Sequence, residues 1–156
     1  MQAQPIQSTD RLRVLVVDDD PSVCMLVDRV LTSRGWAVTV ARSAEEAGDV
    51  VVLSHWDAVL IDKNLPRLSG VDFAARVRQQ QQDAGIVLMT AQPEASSRQG
   101  AWDAYLPKPF RSLDELVHSL DTARERRRRS REVDALKEKL SIVRATLGPP
   151  PGTTRH

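Results

Sequence analysis

Leu12-Arg13-Val14-Leu15-Val16-Val17-Asp18-Asp19-Asp20 decides the fold. Four apolar residues run directly into three carboxylates. A continuous apolar run closed by a polar turn predicts a strand buried on both faces, as in a parallel sheet. Such a strand delivers its last residues and the next turn to the carboxyl edge of the sheet, where open α/β folds keep their sites. Adjacent carboxylates resist joint ionisation unless a cation lies between them. A hard divalent ion with oxygen ligands, Mg²⁺ first among them, answers that repulsion. The competing explanation is a solvated Asp turn capping the helix that starts at Pro21.

Further strand ends break the tie. Asp57-Ala58-Val59-Leu60-Ile61 ends in Asp62, and Gly85-Ile86-Val87-Leu88-Met89 ends in Thr90. The short run Ala104 to Leu106 leads through Pro107 to Lys108. In a parallel sheet these ends converge, gathering an acid cluster, a lone Asp, a hydroxyl and an amine. A carboxylate can act as a nucleophile on phosphorus. Asp62, alone at its strand end, is the better nucleophile candidate, and Asp18 and Asp19 are the better cation holders. Lys108 supplies a second positive charge and Thr90 a hydroxyl donor.

These pieces, Val16-Val17-Asp18-Asp19-Asp20-Pro21, Asp62-Lys63-Asn64-Leu65-Pro66-Arg67-Leu68-Ser69-Gly70, Thr90-Ala91 and Lys108-Pro109, resemble the receiver domain of two-component response regulators over roughly residues 11 to 120. The resemblance implies that Asp62 accepts a phosphoryl group from a histidine kinase or phosphotransfer protein. It implies a Mg²⁺ site with Asp19 as direct ligand, Asp18 acting mainly through water, Asp62, and the backbone carbonyl of Asn64. It also implies a Thr90–Tyr105 switch pair and a cis bond before Pro109. The chain would be a signalling phosphoacceptor, catalysing only its own phosphotransfer and dephosphorylation. Asp20 has no metal role by the match and is expected to cap the helix at Pro21. One departure stands out. The segment from Gln92 to Gly100 is short and polar, so a helix four within Glu94 to Gln99 would be weak, lacking an apolar stripe.

The bounds agree. A chain of 156 residues holds one ordinary domain with some length left over. Hydrophobic residues at 41% and charged ones at 28% are globular proportions, and 4% aromatics leave the core to Val, Leu, Ala and Ile. One cysteine, Cys24, excludes an intramolecular disulfide and points to a reducing cytoplasm. It is expected as a small buried hydrophobe. No run approaches the roughly 20 apolar residues of a membrane span, and the polar start is not expected to act as a signal peptide. His55, His118 and His156 do not cluster, so no histidine ligand is expected, and Trp36, Trp56 and Trp102 are expected in packing roles.

The coarse pattern is a five-stranded, doubly wound parallel sheet of the flavodoxin-like kind. Strands are expected at about 12–17, 36–41, a run ending near Asp62, a run ending at Thr90, and 104–106. Helices are expected at 21–34, closed by Gly35; after Ser43, with Glu46 completing a capping box; at 69–79, with Val71, Ala74, Ala75 and Val77 inward; and from Ser112. Residues 1–10 are expected as a loose tail and 148–156 as a Pro/Gly-rich disordered one.

The last helix does not stop where a compact domain would. Residues 1–110 carry 11 basic and 14 acidic side chains; residues 111–156 carry 11 and 7. Leu113, Leu116, Leu120 and Ala123 follow three-four spacing. Val133, Leu136, Leu140, Val143 and Leu147 follow it again, one residue out of phase, which predicts a helical extension over 121–147 that pairs as a coiled-coil homodimer with a stutter. Phosphorylation is expected to alter that pairing. The run Arg124 to Arg131 is expected as a solvated face, with an anionic partner as the alternative. No DNA-reading motif comes after it, so sequence-specific nucleic-acid binding is not expected. Two other readings remain: the front end of a longer transcription regulator, and a scaffold that no longer phosphorylates.

Overall fold

The structure is a computed structural model; it describes residues 11–92, 100–148 and 152. Five strands form one parallel sheet: β1 (Arg13–Val17), β2 (Ala37–Ala41), β3 (Ala58–Asp62), β4 (Gly85–Thr90) and β5 (Ala104–Pro107), in the order β2-β1-β3-β4-β5. Among the described residues there are four helices, α1 (Pro21–Ser33), α2 (Ala44–Val51), α3 (Gly70–Gln80) and α4 (Leu113–Leu147). The expected helix four and both expected tails, apart from Gly148 and Gly152, lie outside the described residues.

Alternation along each strand divides the core. Val14 and Val16 point to one side, where α1 contributes Val27 and Leu31 and α4 contributes Leu116, Leu120 and Ala123. Leu15 and Val17 point to the other, with Ala47 and Val51 of α2 and Phe73, Ala74 and Val77 of α3. Both faces are covered, so the central strands are apolar throughout, as parallel sheets require. Each fully buried Leu contributes about 1.5–3 kcal/mol of transfer free energy. Trp36 and Trp56 are core residues, 4% and 1% exposed.

The helix starts follow their local chemistry. Asp20 caps α1, accepting from the Ser22 N–H, with Pro21 at the first helical position. Gly35 closes α1 with φ +90°, where a side chain would be strained. Ser43 caps α2, and the Glu46 carboxylate returns to the Arg42 N–H rather than to that of Ser43. In α3 the inward residues differ from expectation. Phe73 is buried and Ala75 is exposed, because the apolar stripe runs 70, 73, 74, 77. β2 begins one residue after Trp36, which turns into the core.

The largest departures are on α4. Leu116, Leu120 and Ala123 are fully buried against the sheet, and Leu113 is 47% exposed. Gly85 makes the close approach possible: a Cβ there would lie 2.6 Å from the Arg124 backbone N. Beyond Arg131 every described residue of the helix is exposed, although Glu132 and Ala135 still border a depression shared with His55, Asp57 and Asp83. The second apolar set is exposed, and at 100° per residue it faces roughly 150° away from the buried one. The two sets therefore form a core stripe and an outward stripe, in place of one seam with a stutter.

The arginine run is also more than a solvated face. Arg124 lies over the Trp36 ring at 5.7 Å, Arg126 donates to the Asp103 carbonyl, Arg127 to the Gln82 carbonyl, and Arg131 pairs with Asp83 at 2.9 Å. Arg128 with Glu132 and Arg129 with Glu125 make exposed i,i+4 pairs instead. Nearby, Arg78 of α3 pairs with Asp103 at 2.6 Å and donates to the carbonyls of Gln81, Gln82, Ala84 and Ala101. Burial pushes the Asp103 carboxyl up and the Arg78 guanidinium down, each partly offset by the other's charge. This network fastens α3, the turn before β4, the start of β5 and the root of α4.

Candidate functional site

The site is built by three strand ends and one loop. β1 stops at Val17, and Asp18 is held by its own N–H donating to Ala41 O, 3.2 Å. The Asp18 side chain is fully buried, accepting from the Asp20 N–H at 2.9 Å. Cys24 is buried as expected, and its Sγ adds a support the sequence did not reveal, lying 3.1 Å from the Asp18 carbonyl oxygen. Asp62 ends β3, is 7% exposed, and accepts from the Asn64 N–H at 3.2 Å. Asp19 is exposed. Carboxylate oxygens of Asp18, Asp19 and Asp62 lie within 4.8 Å of one another.

Lys108 enters from the loop after β5. Its N–H donates to Thr90 O at 2.8 Å, fixing the backbone, and the peptide bond to Pro109 is cis. Its Nζ lies 2.6 Å from Asp18 Oδ2 and 3.6 Å from Asp62 Oδ2. Lys108 thus faces two of the three carboxylates, Asp18 and Asp62. Burial pushes the Asp62 carboxyl above its usual range; Asp18 and Asp19 push the same way, while the Asn64 N–H and Lys108 oppose them. Such a site favours added positive charge. Hard carboxylate donors at one corner, partly open to solvent, fit a divalent cation such as Mg²⁺.

Thr90 stands at the end of β4, one residue past the Asp62–Met89 register pair, and is 2% exposed. Its hydroxyl donates to Gln92 O at 2.9 Å and accepts from Gln92 N–H at 3.1 Å. Tyr105 lies half-buried on β5, its ring tilted against Trp102 at 5.7 Å. The Asn64 loop borders an open depression of about 400 Å³ that also reaches Asp19, Lys63 and Ser69. Gly70 closes this loop. Its N–H donates to Lys63 O, and a Cβ there would fall 2.1 Å from Asp62 O. Only glycine fits against the strand end that carries Asp62. The Ser69-Gly70 pair is visible in the sequence, but its role depends on a contact across the turn.

The fold, the strand order and this corner define a receiver domain, and the family comparison agrees: the response regulator receiver domain matches residues 14–121. The chain belongs to that family. It is 38% identical over 110 residues to the response regulator MprA of Mycolicibacterium vanbaalenii, an alignment covering 68% of this chain and 47% of that protein. With the response regulator MprA of Mycobacterium avium it shares 36% identity over 142 residues, covering 88% and 61%. The chain spans about half the length of the curated relatives it matches. Among solved structures it resembles the chemotaxis protein CheY4 of Vibrio cholerae, with TM-score 0.67 and 26% identity, covering 71% of this chain and 97% of that one. The Thermotoga maritima response regulator TrrA, in complex with Mg²⁺ and BeF, gives TM-score 0.65 at 32% identity, covering 72% and 98%.

Proposed function

We propose that the protein is a phosphorylation-switched signalling module in which Asp62 accepts a phosphoryl group from a histidine kinase or phosphotransfer protein. One observation carries this reading: Asp18, Asp19 and Asp62 converge within 4.8 Å, with Lys108 Nζ reaching both Asp18 and Asp62. An Asp62 carboxylate oxygen attacks phosphorus, a new P–O bond forms, and the bond to the leaving group breaks with its electron pair departing on that group. Lys108 places positive charge on a phosphoryl oxygen, and the Thr90 hydroxyl, released from Gln92, donates to another. Asp18, Asp19, Asp62 and the Asn64 carbonyl would hold Mg²⁺, which when bound neutralises the charge between carboxylate and phosphoryl group. The ring of Tyr105, next to β4 in the sheet, follows the Thr90 movement as the switch. Acetyl phosphate with Mg²⁺ should load wild-type protein and leave Asp62→Ala unmodified. Loading of Asp62→Ala at the wild-type level would exclude this acceptor.

The output is carried by protein contacts. The outward stripe of α4, with Val133, Leu136, Leu140, Val143 and Leu147 each 48–77% exposed, serves as a homodimer surface. No described helix is long and apolar enough to cross a membrane, and a cytoplasmic partner kinase completes the reading. The 47% coverage of the MprA relatives supports a second setting, in which this receiver is the front of a longer regulator.

A further inference from the structure

We infer that two copies of α4 pair in parallel and in register along the outward stripe, with Glu132 of one copy against Lys137 of the other. This rests on the homodimer reading and specifies its geometry. Among the described residues the body leaves the stripe uncovered. It faces roughly 150° away from the buried stripe of Leu116, Leu120 and Ala123, and it becomes apolar only where the helix leaves the sheet. With Val133 at a heptad a position, Leu136 and Val143 fall at d, and Leu140 and Leu147 at a. The flanking e and g positions are then Glu132, Lys137, Lys139, Arg144 and Thr146. Parallel, in-register pairing sets g against the e position five residues on in the partner. Glu132 meets Lys137, an attractive pair made twice by symmetry, and Lys139 meets Arg144, a repulsive one.

The antiparallel register that pairs Val133 with Val143 and Leu136 with Leu140 leaves Leu147 opposite Arg129, and it places Lys137 against Lys137 and Lys139 against Lys139 near the two-fold axis. It makes no compensating contact to Glu132, so charge favours the parallel arrangement. Two heptads are few for a coiled coil built from free peptides. Here the helix is already formed, because its first turns are packed in the core and its root is held by Arg126, Arg127 and Arg131. Preorganisation removes most of the ordering cost of pairing. Parallel pairing also leaves the two bodies on opposite sides of the helix pair. Both Asp62 sites stay open at the far edge of their sheets.

Charge exchange on the full-length chain, read as the dimer dissociation constant by sedimentation, tests the register. Glu132→Lys and Lys137→Glu should each weaken the dimer about tenfold, and the double variant should restore it. Rescue matters because Glu132 also pairs with Arg128 within its own helix, at 3.0 Å; loss of that contact would not be repaired by Lys137→Glu. Lys139→Glu should tighten the dimer by a similar factor. Val133→Cys, at the start of the stripe, should form a symmetric interchain disulfide on mild oxidation, because only parallel pairing brings the two copies of residue 133 together. A dimer that the double exchange fails to restore, or that Val133→Cys does not cross-link, overturns the parallel register and leaves the homodimer standing. A wild-type chain that stays monomeric at every concentration overturns the dimer itself, while loading of Asp62 is scored separately.

Discussion

Asp18 and Asp62 sit at two strand ends in different surroundings, and the difference is one of burial and partners. Asp18 has no exposure and holds Lys108 at 2.6 Å, which neutralises it locally. Asp62 has Lys108 only at 3.6 Å and sits among like charges, so its carboxylate is the less satisfied. Removing its charge should therefore help the fold. In metal-free buffer at neutral pH, Asp62→Asn should raise the melting temperature, by about 1–2 kcal/mol of stability. It should also lose most of the further rise that Mg²⁺ gives the wild type. A lower melting temperature for Asp62→Asn without metal would mean that Lys108 already satisfies the cluster. Asp19 is exposed and not needed for packing, so Asp19→Ala should keep the fold and lose Mg²⁺ binding, as titration calorimetry would report. The carboxylates, Thr90 and Lys108 were legible because each stands at or just past the end of an apolar strand. The Cys24 support and the Gly70 close approach were not, since both depend on which backbone lies opposite.

At the scale of elements, strand and helix order was readable because apolar runs of five or six residues alternate with capped helices. Ser43, Ser69 and Ser112 each cap a helix by accepting an N–H from three residues on. What the pattern hid was the direction of α4. Three-four spacing marks a stripe without saying what it faces, and the turn between the two stripes emerges only when the helix is laid on the sheet. The charges were ambiguous for a related reason. Arg78, Arg126, Arg127 and Arg131 look like surface residues until their partners from other elements are known. Two variants test this fastening. Asp103→Ala leaves Arg78 buried without its counter-charge and frees the Ile86 N–H; it should cost about 3 kcal/mol in denaturant unfolding. Gly85→Ala inserts a methyl against the α4 backbone and should cost about 1–3 kcal/mol, with α4 displaced. A Gly85→Ala protein as stable as the parent would show that α4 lies less closely on β4 than described.

For the whole molecule, the sheet separates the two proposed jobs. The proposed phosphoryl chemistry stands at the carboxyl edge, and the outward stripe begins past the opposite edge, on a helix roughly 50 Å long. Leu136→Glu with Leu140→Glu should therefore give a monomer that still loads Asp62, whereas Arg128→Glu, off the stripe, should remain dimeric by light scattering. A double variant that stays dimeric would move the interface to the receiver body. The signalling reading depends on Asp62 as the acceptor, and intact-mass measurement after incubation with acetyl phosphate decides that assignment. One added phosphoryl group is expected in the wild type with Mg²⁺, none when the metal is chelated, and none in Asp62→Ala. A full phosphoryl adduct on Asp62→Ala, or wild-type loading that ignores chelation, would overturn it.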